Sequence, residues 1–155
     1  MNKEILILLF SWIISILLLF KYIPVNRKRT AHLTFVFVQA IAWIFQYFQL
    51  LFGLVEFPYR EFDYATRMSF SLHYLTYPTF GVLFIMLYPL NKGRIRIILH
   101  FLIFALAIST YTFLIEKYSS LFEFRKWNIY IGILSNMIIL YIVKKFVFWY
   151  QKGLV

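Results

Sequence analysis

The 155-residue chain is 63% hydrophobic and only 14% charged, with a mean hydropathy of +0.77. Soluble domains run at ~45–50% apolar and ~25% charged, and a small soluble fold buries only ~70% of what its unfolded chain exposes, so a soluble fold is excluded. The 16 Lys and Arg against 6 Asp and Glu, a formal +10, are read as membrane topology and not as a nucleic-acid surface, while the absence of Cys excludes disulfides and thiolate sites.

A helix that crosses ~30 Å of hydrocarbon needs about 20 mostly apolar residues. Five segments meet this need. The first, 5–23, is interrupted only by Ser11, Ser15 and Lys21 and closed by Pro24. Its apolar run exceeds that of a signal peptide and no small-x-small cleavage pattern follows, so it reads as a retained anchor. The second, 30–55, lies between the cluster Asn26-Arg27-Lys28-Arg29 and Glu56-Phe57-Pro58. The third, 68–88, stops at Pro89 and the turn Asn91-Lys92-Gly93. The fourth, 95–115, ends at Glu116-Lys117, and the fifth, 127–143, ends at Lys144-Lys145. The longest connections, 56–67 and 116–126, leave no room for a soluble domain. The predicted fold is therefore all-α, one integral membrane bundle of five transmembrane helices.

Orientation follows from the charges. With the N-terminus outside and the C-terminus cytoplasmic, Lys21, Arg27, Lys28, Arg29, Lys92, Arg94, Arg96, Lys144, Lys145 and Lys152 fall inside. Lys3, Arg60, Arg67, Lys117, Arg125 and Lys126 fall outside with all six acids, Glu4, Glu56, Glu61, Asp63, Glu116 and Glu123. Ten basic residues against six in short loops is the positive-inside pattern. The inner cations favour anionic lipid headgroups. The location expected from composition and charge is a cell membrane, crossed several times.

Polar residues within the spans carry the functional information, because hydrocarbon offers them no partner. At ~100° per residue, His32, Gln39, Trp43 and Gln46 share one stripe of span two, with Gln49 beside it. This inward-facing stripe reads first as interhelical glue and second as a hydrated path for a solute or ion. Span three holds His73, Tyr74, Tyr77 and Thr79 around Pro78, which is expected to kink the helix, with Tyr74 or Thr79 hydroxyls meeting the carbonyl it frees. In span five, Asn128, Gly132, Ser135 and Asn136 form a small and amide face for close packing. Phe146, Phe148, Trp149 and Tyr150 form an interfacial aromatic belt. At the outer end, Glu56, Arg60 and Glu116, with His73 and Tyr77 beneath, are candidates to line an outward-facing pocket; the simpler reading is that the outer charges pair with one another and clamp the loops. No catalytic triad, metal-ligand spacing, phosphate loop or cofactor motif is present in the sequence.

The segments Arg29-Thr30-Ala31-His32, Gln39 with Trp43, Gly53-Leu54-Val55-Glu56-Phe57-Pro58-Tyr59-Arg60, Ser69-Phe70, Tyr77-Pro78, Tyr88-Pro89, Glu116-Lys117-Tyr118 and Trp127 resemble a family of small five-span membrane proteins of Bacillus- and Clostridium-type spore-forming bacteria. The resemblance covers nearly the whole chain. It implies the fold and the bacterial setting, a cytoplasmic membrane or a spore membrane, and carries no reaction or ligand with it. Its pattern leads to an acidic residue at position 73, where this chain has His73. The leading functional expectation is a non-enzymatic accessory or envelope-assembly component that acts through helix and loop contacts, with a membrane-protein partner or a second copy. The alternative is a small transporter or channel for a polar solute or ion. Polar groups of several spans that meet at one cavity favour transport; a tightly packed interior favours assembly.

Overall fold

A computed structural model describes residues 3–90 and 92–153, so the Asn91 position of the expected turn lies outside the described residues. Among the described residues five helices of more than three residues run in chain order: α1 (Lys3–Tyr22), α2 (Lys28–Leu51), α3 (Leu72–Met86), α4 (Arg94–Tyr118) and α5 (Ile129–Lys152). Two-residue strands β1 (Val55–Glu56) and β2 (Glu123–Phe124) link the loops at one end. The chain is all-α apart from this ladder. Helices α1, α2, α4 and α5 are long and apolar enough to cross a membrane, and α3 is shorter.

The helix ends have local causes. Helix α2 stops four residues before the expected 55 because Gly53 takes φ 61°. Gly53 N–H donates to Leu50 O at 3.0 Å and Leu54 N–H to Gln49 O at 2.9 Å, the paired bonds of a Schellman stop that only glycine enters without steric cost. Helix α5 starts where Asn128 accepts a hydrogen bond from Ile131 N–H at 2.9 Å, an N-cap. It runs past the expected 143 to Lys152, since Lys144 and Lys145 end the hydrocarbon stretch without ending the helix. Lys144 Nζ lies 5.3 Å from the ring centre of Tyr88 and 5.8 Å from that of Phe148, so its charge rests against aromatic faces.

Helix α3 is the centre of the bundle. Residues Val82 to Met86 are all buried and α1, α2, α4 and α5 surround them, the position expected of a helix apolar all round. Its crossing with α2 is close: a Cβ on Gly81 would lie 2.5 Å from Val38 Cγ2. Helix α1 packs chiefly on α3, and its Ser11 and Ser15 are buried.

The core is split in two. One apolar cluster, around Val38, Phe84, Leu140 and Val147, fills the end where Arg27 Nη1 reaches Met86 O at 3.5 Å and Gln151 reaches Thr30. The other, around Leu8, Val55, Phe57, Leu72 and Leu121, fills the ladder end. Gln46, His73, Thr76, Thr79 and Ser109 are buried polar side chains of α2, α3 and α4; Thr34 is buried near the Arg27 end and Ser69 near the ladder end.

Candidate functional site

The polar layer is built around Pro78. Proline has no N–H, so the Tyr74 carbonyl four residues earlier loses its helical partner. Gln39 Nε2 reaches over from α2 and donates to that carbonyl at 3.3 Å. The expected hydroxyls are not its donors: Thr79 Oγ1 donates one carbonyl further on, to Leu75 O at 2.8 Å. The expected kink takes the form of a π-helical stretch, Leu72–Thr76, in which Tyr77 N–H bonds back to Leu72 O. Such wide turns relieve a proline within a helix and re-aim side chains.

The wide turn places His73 in the interior, 0% exposed, among Trp43, Phe57 and Tyr77 with ring centres 5.3–5.7 Å away. Its Nδ1–H donates to Ser69 O at 2.6 Å and its Nε2 lies 3.2 Å from Gln46 Oε1. Gln46 Nε2, at the other end of that amide, is buried with no partner among the described residues. A neutral imidazole has a single N–H, and turning the Gln46 amide end for end lets it donate to His73 Nε2. One amide atom of Gln46 is left over in both orientations.

Gln46 also lines a cavity of about 80 Å³ between α2, α3, α4 and α5. Four helices send neutral polar side chains to it: Gln46 and Gln49 from α2, Tyr77 from α3, Ser109 and Thr112 from α4, and Asn136 from α5. Asn136 Nδ2 donates to Ser109 Oγ at 2.9 Å, and the hydroxyls of Tyr77 and Thr112 are 3.4 Å apart. Phe122, Phe124 and Trp127 close the ladder side; Val38, Gly81, Leu140 and Val143 close the other. Among the described residues no charged side chain lines the cavity.

At the ladder end, Val55 pairs with Phe124 and Glu56 with Glu123. Tyr59 N–H donates to Ser120 O at 2.8 Å, and the N–H groups of Arg125 and Lys126 both reach Leu54 O at 3.0 Å. The register sets two carboxylates side by side, and Arg125 stands between them, 2.8 Å from Glu56 and 3.2 Å from Glu123. The hydrogen bond to Glu56, with the charge of Glu123 beside it, raises the Arg125 pKa above its ordinary value, so the guanidinium is charged throughout the neutral range. Glu61 serves a different end. Its carboxylate accepts from Ser69 Oγ, Phe70 N–H and Ser71 N–H at 2.8–3.1 Å and so covers the free N–H groups before α3.

The structure thus brings together Gln46, Gln49, His73 and Tyr77 and separates them from the charged candidates. Glu56 is committed to Arg125, while Arg60 and Glu116 form no ion pair among the described residues. His32 is exposed and Gln39 only partly buried, at a helix contact and not on the cavity. The sequence reading placed Gly132 and Asn136 on a packing face, where they meet Ser109, but did not link them to Gln46. It missed the cap formed by Glu61, for which the Ser69-Phe70-Ser71 stretch at a helix start was the available signal. Among the described residues no three His, Asp or Glu side chains gather as a metal site needs. No family model, curated protein or solved structure matches the chain.

Proposed function

We propose that this chain is a five-span protein of a bacterial cytoplasmic membrane, N-terminus outside, that holds a small uncharged polar solute inside its bundle, as a non-enzymatic carrier does. The observation that carries this reading is the convergence of amides and hydroxyls from four helices on one cavity with an unpaired Gln46 amide atom in its wall. Mostly apolar pockets with a few aimed polar groups are the usual form of small-molecule sites in helix bundles. Size and charge narrow the occupant. At ~30 Å³ per molecule, the cavity matches two or three waters, or one small amide or alcohol. An ion of either sign would shed its hydration with no countercharge to meet it.

The span count and orientation rest on the alternation of the helices and on the ten basic residues at the Arg27 end. Reporters fused after Lys3 or within 56–67 read outside, and after Val25 or Lys92 inside. The carrier reading is tested in vesicles loaded with urea or glycerol. Protein-bearing vesicles equilibrate faster than empty ones, Asn136→Leu abolishes the excess while the protein still inserts, and sodium flux equals that of empty vesicles. Urea and glycerol flux no faster than in empty vesicles would refute it. The assembly reading is favoured by one observation, the ordered loop platform at the ladder end, where Tyr64 stands 88% exposed. Crosslinking from Tyr64→Cys to a second membrane protein in native membranes tests it.

A further inference from the structure

A second space, independent of the polar cavity, lies on the opposite flank of α3. It is a groove of about 370 Å³ with α1 as one wall, α4 as the other and α3 as its floor. Phe10, Ile14 and Leu18 line it from α1, Phe80 and Leu83 from α3, and Leu114 from α4. The backbone of α1 rests chiefly on α3, so the groove separates α1 from α4 along much of their length. One polar strut crosses it near the ladder end, where Tyr111 Oη donates to Ser11 Oγ at 2.8 Å.

We infer that this groove holds one acyl chain of a phospholipid. Its volume selects a chain over a helix. A helix is ~10–12 Å across with a pitch of ~5.4 Å, so 370 Å³ admits less than one turn. A dry cavity of ~150 Å³ takes up benzene, and on that scale this groove accommodates an alkyl chain of about fifteen carbons. Its depth matches too, since its two walls, α1 and α4, are apolar helices long enough to span the hydrocarbon. The mouth complements a headgroup: Tyr118 is the last lining residue on α4, and Lys117 Nζ lies 5.5 Å from its ring centre, placed to meet a lipid phosphate at the boundary. The chain completes the packing of α1, which the protein alone leaves half made.

The test uses the full chain extracted in mild detergent. Native mass spectrometry shows one retained phospholipid per protein. Ile14→Trp and Leu114→Trp fill the groove and lose this adduct, whereas Leu134→Trp, at a position on α5 that is 62% exposed and outside the groove, keeps it. The chain has no cysteine, so Ile14→Cys supplies a single thiol in the groove wall, at a position 39% exposed when the groove is empty. That thiol is protected from a membrane-permeant maleimide in the lipid-retaining protein, reactive after delipidation, and protected again when palmitoyl-oleoyl phosphatidylglycerol is added back. Absence of the adduct in the parent protein, equal retention in all three Trp variants, or a thiol equally reactive with and without phospholipid overturns the inference.

Discussion

Replacing Gly81 with Ala tests the centre of the bundle. The added Cβ would stand 2.5 Å from Val38 Cγ2, 2.9 Å from Cγ1 and 3.1 Å from Cβ. Valine in a helix keeps one χ1 rotamer ~90% of the time, and both methyls are in the way, so no rotation relieves the clash and α2 must move off α3. Overpacking of this kind costs ~1–3 kcal/mol. Alanine returns ~0.5–1 kcal/mol through its better helix propensity. The net expectation is a loss of ~1–2 kcal/mol, and its size depends on Val38. In a Val38→Ala background the contacts at 2.5 and 2.9 Å are gone and only the Cβ contact at 3.1 Å remains, so most of the loss disappears. Reversible unfolding in mixed micelles, followed by tryptophan fluorescence, gives the four free energies of the cycle. A coupling below ~0.5 kcal/mol, the additivity expected of independent sites, would refute the close crossing.

Gln39→Leu leaves the Tyr74 carbonyl without a donor and lowers stability by ~0.6–2 kcal/mol; adding Pro78→Ala supplies the missing N–H and recovers most of the loss in the same unfolding assay. Asn128→Ala removes the cap of α5 at a cost of ~0.5–2 kcal/mol, seen as faster amide exchange in residues 129–132. Gly53→Ala forces a Cβ into the left-handed region at ~1–2 kcal/mol and shifts the unfolding midpoint accordingly. Arg125→Gln leaves global unfolding unchanged but speeds amide exchange across the β1–β2 ladder, because Glu56 and Glu123 then face each other without a cation; the difference from the parent shrinks at about 1 M salt, where the Debye length is ~3 Å.

The helices were legible because hydropathy over twenty residues is a local property. Their partners were not, for reasons specific to each residue. Glu56 finds Arg125 across the ladder and not Arg60 four positions along, because a two-residue strand pairing joins segments almost seventy residues apart in the chain. Gln39 has the right stripe for an interior position, yet its role depends on a carbonyl that Pro78 frees on another helix. His32 shares that stripe and is exposed: a stripe defines a face, and how much of it another helix covers is decided by the packing. The cavity was legible only in parts. Gln46 and Asn136 each read as interhelical glue, and the fact that both face the same space depends on the π-helical turn of α3 and the register of α4 against α5.

The ladder ties the α2–α3 connection to the α4–α5 connection through backbone hydrogen bonds, and the described residues hold no equivalent stitch at the Arg27 end, where Phe37 stacks on Phe146 and Gln151 touches Thr30 through side chains alone. Mechanically the bundle is a fan pinned at one rim. Its softest motion is a spreading of the helix ends at the basic rim about a fixed pivot under the acidic loops, and any path that opens to the interior widens from that rim first.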